Sequence, residues 1–346
     1  MKKVIGKILL SLLAVLLIAA GVMAFLFRNE AATLLSLRQE NAYPFYTMTY
    51  KGDYGFDDFL KQGAKSDKDI ERFVTTRLLK GIPIKFNVAQ GGCSAFAAKN
   101  EKGEPVYGRN FDFDYAPSLL LKTKPDNGYA SVSMVNLSFA GYDKDNLPDP
   151  QTLSSFLTLS APYLPFDGMN EKGLSMALLA VPEVQTPQDP QKVTLNTTTM
   201  IRLVLDKAAT VDEAVALMKQ YNIYFSGDVK CHYLIEDASG KSVVAEYWEN
   251  RLQTVTPKEK YQVATNFIAY NGLNLGEGST EFQRYDTIHN TLLRANGVIS
   301  EKNAMSLLKD VKLQKTQWSV VYNLKQLNGS VCINGDYEKP HSFTLQ

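Results

Sequence analysis

The sequence predicts an α+β protein, a four-layer αββα sandwich behind an N-terminal transmembrane helix. Three observations carry this reading. Strand-like segments cluster around two pairs of helix-like segments. Eighteen Tyr and seventeen Phe enrich the chain in side chains that suit pleated sheets. The run from Ile8 to Phe27 is uncharged and mostly apolar.

Taken in order, that run comes first. A helix of about 20 residues spans about 30 Å, the thickness of the hydrocarbon layer, whereas the apolar core of a signal peptide is about 7–15 residues. Residues 1–27 are therefore expected to be an uncleaved signal anchor, with Lys2, Lys3 and Lys7 inside. Cleavage after Ala24, with Val22 three residues before the cut, is the alternative and would secrete the chain. In both cases the remainder is expected outside the cytoplasm.

Residues 28–92 follow. Asn29 to Asn41 continues as a helix, and Pro44 to Phe56 is aromatic and turn-rich. Ser66 to Lys80 reads as a helix. Ser66 pairs with Asp69 at its start, Ile70, Phe73, Val74 and Leu78 share a face, and Gly81 and Pro83 end it. Such a face implies a packed segment rather than a linker.

Beyond it, Cys93 to Ala98 is a short strand and Asn100-Glu101-Lys102-Gly103 a turn. Val106-Tyr107 returns as a strand, bringing Gly108 to Asp112 level with Cys93. Tyr129 to Leu137 alternates as a strand, and Pro165 to Val181 is a hairpin turning at Asn170–Gly173. Asn196 to Ala209 and Val211 to Tyr221 are helices, the second with a Thr210/Glu213 capping box. Lys230 to Asp237 and Lys241 to Trp248 form a hairpin, Glu281 to Ala295 a helix, and Gln317 to Leu324 and Gly329 to Asn334 the closing strands.

Composition sets bounds. With 346 residues, 45% hydrophobic and 21% charged, the chain suits one large domain plus a short extension. A net charge of +1 argues against a nucleic-acid partner. There is no Cys-x-x-Cys and there are only 3 His, so neither a zinc site nor any other cofactor is expected. An odd number of cysteines outside the cell leaves one unpaired. Cys231 and Cys332 read as strand core, and Cys93 is expected free.

Cys93 has the strongest chemical surroundings. Arg109 follows at +16 and Asp112 at +19. A thiol attacks only as thiolate, so it needs a base and a positive neighbour. Taken alone, Cys93 reads as a small core hydrophobe and Arg109–Asp112 as a surface ion pair. Gly91 and Gly92 alter this, because paired glycines permit backbone geometry that a Cβ forbids, as a self-cleaving Gly92–Cys93 bond would need. Scission would give Cys93 an α-amine, titrating near ~7.7–8.0 and able to take the thiol proton without a histidine. Asp112 would hold that amine, and Arg109 would favour the thiolate.

Gly92-Cys93-Ser94, Gly108-Arg109-Asn110-Phe111-Asp112 and Asp167-Gly168-Met169-Asn170-Glu171-Lys172-Gly173-Leu174 together resemble the choloylglycine hydrolase family. Its members are N-terminal-nucleophile hydrolases of linear amides, among them bile salt hydrolases and penicillin V acylases, with acid ceramidase and N-acylethanolamine acid amidase as relatives. The resemblance covers Cys93 to the C-terminus. It implies the αββα sandwich of that class over residues 93–346, with residues 28–92 as a propeptide or a retained small subunit. It also implies two further site residues: Asn266, in Ala264-Thr265-Asn266-Phe267, as an oxyanion donor, and Arg284, in Phe282-Gln283-Arg284-Tyr285, as a second active-site arginine. Composition alone reads these as a turn asparagine and a solvated helix arginine. Bile salt hydrolases carry an asparagine where this chain has Ala180, which leaves Asn266 and a backbone N–H near Val181 as candidate oxyanion donors.

The implied activity is hydrolysis of a small amphiphilic N-acyl amide at a membrane-tethered site. Three alternatives stand beside it: acyl transfer on the same scaffold, a Cys–His enzyme using His232 or His289, and a membrane-anchored binding module without catalysis.

Overall fold

The computed structural model describes residues 2–89, 91–270 and 280–345. Two sheets face each other. The larger has nine strands in the spatial order Arg38–Asn41, Phe45–Thr49, Ser118–Thr123, Ser131–Asn136, Pro165–Asn170, Ser175–Ala180, Cys231–Glu236, Ser242–Trp248, Arg251–Val255. The smaller has six, in the order Gln262–Ala264, Gly92–Lys99, Pro105–Asp112, Thr316–Asn323, Asn328–Ile333, Asp336–Thr344. Helices Thr197–Lys207 and Val211–Met218 pack on the larger sheet, and Thr280–Arg294 and Glu301–Asp310 on the smaller. The layers are thus helix, sheet, sheet and helix.

The sheets are joined by polar side chains as well as apolar ones. Tyr107 in the smaller sheet donates to the Leu234 carbonyl in the larger at 3.0 Å. Trp318 and Tyr322 likewise donate to Asp167, at 3.0 and 2.6 Å. The hairpin 165–180 turns through Gly173 at φ +75°, where a Cβ would meet the Leu324 carbonyl at 2.3 Å; only glycine fits.

The segment before Cys93 is part of this architecture. Phe45–Thr49 runs parallel to Ser118–Thr123, so two strands of the larger sheet come from it. Phe59, Ile70 and Val74 are fully buried, and Tyr54 donates to the buried Asp206 at 2.7 Å. The helix expected over Asn29–Asn41 is shorter: it spans Arg28–Leu35, and the chain then becomes strand Arg38–Asn41. The aromatic stretch read as turns forms the strand Phe45–Thr49, because sheet pairing outweighs the local turn signal. The helix expected over Ser66–Lys80 spans Asp67–Arg77, with Ser66 Oγ donating to Asp69 at 2.9 Å.

At the N-terminus a helix covers Lys2–Leu26, with exposed Leu12, Leu16, Ile18 and Phe25. Among the described residues no single helix is long and apolar enough to cross a membrane. Leu12–Leu26 and Arg28–Leu35, bent by 62°, meet that measure as a pair.

Candidate active site

Cys93 is the second residue of its strand and pairs with Phe111; Gly92 pairs with Asp112, and Ala95 with Arg109. The hairpin therefore places both charged residues beside the cysteine, and all three are buried. Arg109 Nη2 donates to Cys93 Sγ at 3.2 Å and to the Leu178 carbonyl at 2.9 Å. Its Nη1 pairs with Asp167 Oδ2, which also accepts from Trp318, while Tyr322 donates to Oδ1. The guanidinium also lies over the Phe111 ring, at 5.1 Å from its centroid. Arg109 is thus fixed through both terminal nitrogens, with its positive charge against sulfur, while its buried Nε has no hydrogen-bond partner among the described residues.

Asp112 is held from two directions. Thr316 donates to its Oδ1. Arg284 Nη2 stands 2.8 Å from Oδ2, charge against charge but out of line for a hydrogen bond. That buried oxygen keeps an unfilled acceptor site among the described residues. Arg284 is itself buried, donating to Ser94 Oγ at 3.0 Å and to the Val311 carbonyl at 3.0 Å.

Asn266 completes the group. Its Oδ1 accepts the Cys93 backbone N–H at 2.7 Å, and its Nδ2 donates to the Ala180 carbonyl at 2.7 Å. One of the two Nδ2 hydrogens remains for another acceptor. The Val181 expectation meets a correction. Its N–H donates to the Lys230 carbonyl at 2.9 Å, just beyond the paired strands, so it is already engaged.

The role assigned to the glycines also changes. Neither Gly91 nor Gly92 has positive φ. A Cβ at Gly91 would lie 2.6 Å from the Asp112 carbonyl, so closeness rather than backbone freedom demands glycine there. At Gly92 the nearest atoms, on Asn266 and Asp112, lie 3.4 Å away, an ordinary contact.

Burial pushes the Cys93 thiol above its ordinary range, and the Arg109 cation pulls against that rise. Burial likewise raises Cys231, and raises Cys332 to about 12. No histidine hydrogen-bonds Cys93 among the described residues. His232 Nδ1 is 2.6 Å from Glu246, and His289 Nδ1 is 2.9 Å from the Tyr261 hydroxyl. No cluster of metal-binding side chains occurs among the described residues either.

Cys93 opens onto a cavity with about 560 Å³ of empty space, its solvent-open part included. Phe111, Phe113, Phe139, Phe166 and Leu178 form much of the wall, and Phe86 and Val88 are contributed by the segment before Cys93.

Sequence reasoning had passed over Asp167, Thr316 and Ser94 as supports. Asp167 stood inside a quoted motif. Ser94 stood in another, Gly92-Cys93-Ser94, where nothing marks it as a partner of Arg284, and Thr316 carries no local signal, since only the folded pairing brings it to Asp112.

A sequence model of linear amide C–N hydrolases, choloylglycine hydrolase family, matches residues 93–305. The penicillin V acylase of Pectobacterium atrosepticum is 34% identical over 111 residues, 29% of this chain and 29% of that protein. The bile salt hydrolase/transferase of Clostridium perfringens is 26% identical over 229 residues, 60% of this chain and 66% of that protein. The aligned part is under two thirds of each relative's length. Among solved structures, a conjugated bile acid hydrolase variant from Clostridium perfringens superposes with a TM-score of 0.51 at 17% identity, covering 73% of this chain and 92% of that one. The penicillin V acylase from Agrobacterium tumefaciens gives 0.50 at 17% identity, covering 72% and 85%. At such identity the likeness speaks for the fold alone.

Proposed function

The chain belongs to the choloylglycine hydrolase family of linear amide C–N hydrolases, and from that premise we propose that it hydrolyses N-acyl amides with Cys93 as an amino-terminal nucleophile released by scission of Gly92–Cys93. One observation carries this. The Cys93 N–H and Sγ are each already met by a group the chemistry needs, Asn266 Oδ1 and Arg109 Nη2, beside the unfilled acceptor of Asp112.

In the uncut chain the thiol attacks the Gly92 carbonyl, the peptide C–N bond breaks in favour of a thioester, and water hydrolyses that thioester. The products are a Gly92 carboxylate and a free Cys93 α-amine. In turnover the amine takes the thiol proton, and Arg109 stabilises the thiolate. The ammonium then lies where Asp112 Oδ2 and Asn266 Oδ1 can accept its hydrogens. The thiolate attacks the acyl carbon, and the remaining Asn266 Nδ2 hydrogen is available to the oxyanion. A donor so placed is worth about 2.7–4 kcal/mol in related chemistry. The leaving amine takes the proton back, and water releases the acid from the thioester.

The segment before Cys93 stays bound as a small subunit on this reading, since its strands and buried aromatics belong to the shared core. We place the enzyme at a membrane surface through residues 1–27, facing outward. Passing the acyl group from the same thioester to an amine is the second reading, favoured by a relative named hydrolase/transferase.

Intact-mass analysis and N-terminal sequencing of the purified protein test the proposal. The expected result is a new terminus at Cys93 with both pieces co-eluting, and its loss in Cys93→Ala. An uncut chain with full amidase activity would overturn it.

A further inference from the structure

A second cavity lies where the end of helix Val211–Met218 meets the edge hairpin of strands Ser242–Trp248 and Arg251–Val255. It shares no wall residue with the cavity beside Cys93. It holds about 880 Å³ of empty space, its solvent-open part included. Lys192, Lys219 and Arg251 are its charged wall residues, and among the described residues no carboxylate belongs to the wall. Cations gathered at a concave surface focus positive potential and draw anions.

The protein answers these charges only in part. Lys192 Nζ donates to the Lys219 carbonyl at 2.9 Å and stands 3.9 Å from Asp189 Oδ2. Arg251 Nη2 stands 3.7 Å from Glu249 Oε2. Both carboxylate contacts exceed hydrogen-bond length. The Lys219 ammonium has no partner among the described residues. Tyr247, another wall residue, is buried, and its hydroxyl has no hydrogen-bond partner among the described residues. Its ring is held edge-on to Phe225 at 6.1 Å, on a strand where it pairs with Leu252. Buried hydroxyls are nearly always paired, because an unpaired one is costly. An unpaired O–H donor and under-neutralised cations call for the same partner, an acceptor oxygen that carries negative charge.

We propose that this cavity is a binding site for the phosphate group of a small phosphate monoester. At neutral pH such a group carries about −1.5 to −2 charge and three acceptor oxygens. It can meet the Tyr247 hydroxyl and several cations at once, which a singly charged carboxylate does less well. The remaining volume takes the organic part of the ester. The site does not depend on scission of Gly92–Cys93.

Inorganic phosphate is the probe, titrated calorimetrically into the full-length protein at neutral pH, with chloride holding the ionic strength constant. A saturable heat is expected. Tyr247→Phe should weaken binding by about ten-fold, the worth of one hydrogen bond to a charged group. Lys219→Gln combined with Arg251→Gln should abolish it. In chloride alone, Tyr247→Phe should unfold at the temperature of wild type or above, because it removes an unpaired hydroxyl; the same melt shows that the variant folds. No saturable heat in wild type, unchanged affinity in Tyr247→Phe, or acetate binding as tightly as phosphate would overturn the site. So would a lower unfolding temperature for Tyr247→Phe in chloride, since the hydroxyl would then already have a partner.

Discussion

Asn266 Oδ1 accepts the backbone N–H of Cys93 at 2.7 Å, across 173 residues of sequence. The turn that carries Asn266 is tied down by one carboxylate. Glu246 Oε1 accepts the Ala269 N–H at 2.9 Å and lies 2.6 Å from His232 Nδ1, while Oε2 accepts the Tyr270 N–H at 2.8 Å. Burial pushes this carboxyl up, but the His232 contact and the two amides outweigh it, leaving it below its usual range.

Glu246→Gln should therefore slow scission at Cys93. A carboxamide has one acceptor oxygen for these donors and turns its own N–H groups toward another. The expected loss is about ten-fold in scission rate and in kcat, with KM little moved, because Glu246 acts through Asn266. His232→Asn, which can keep a donor near Glu246, should retain more of the rate than His232→Leu. Time courses by intact mass decide this. Equal rates in wild type and Glu246→Gln would refute the clamp.

Removing the Arg109 cation should move the Cys93 thiol further up the pH scale. Burial already raises it, and Arg109 is the main opposing influence. In Arg109→Met the thiolate is less favoured at every pH, so alkylation of Cys93 by iodoacetamide, followed by peptide mapping, should need a pH about one unit higher or more. A curve that stays in place, or moves to lower pH, would contradict the assigned contact. The same variant leaves Asp167 buried without its cation, and a loss of about 3–5 kcal/mol in denaturant unfolding is expected.

The two glycines before Cys93 should respond differently. Gly91→Ala drives a Cβ to 2.6 Å from the Asp112 carbonyl, where backbone must shift. It should cost about 1–3 kcal/mol and slow scission strongly, since the displaced strand carries Asp112. Gly92→Ala meets atoms at 3.4 Å and should be cut at a rate near that of wild type. Scission rates in the reverse order would show that backbone freedom at Gly92 matters more than space at Gly91.

The hairpin from Cys93 to Asp112 was legible in the sequence because its strands, turn and polar residues lie within 20 positions, and local alternation determines which residues meet. The hairpin 165–180 was legible for the same reason. Strand Asp336–Thr344 was not. It lies at a sheet edge with most side chains exposed, so it shows little apolar alternation. Gln262–Ala264 is too short to show a period. Helix Glu301–Asp310 was passed over despite its Ser300 cap. Asn266 and Arg284 came only through family resemblance, since nothing near them in sequence marks them as partners of Cys93 and Asp112. Gly91 is a similar case: its sequence position shows that glycine is used, but only the Asp112 carbonyl shows why.

The supports of Cys93 are scattered along the chain in a particular order. Two strands of the larger sheet precede it, whereas Asn266, Arg284 and Thr316 follow far behind. While the chain is still being synthesised, Asp112 lacks its hydroxyl donor until the strand Thr316–Asn323 has emerged and paired. Scission as proposed here would then be a proof of assembly. A chain truncated before Thr316, or misfolded there, keeps its peptide bond and stays silent, and the released amine marks a molecule whose strand Thr316–Asn323 is in place.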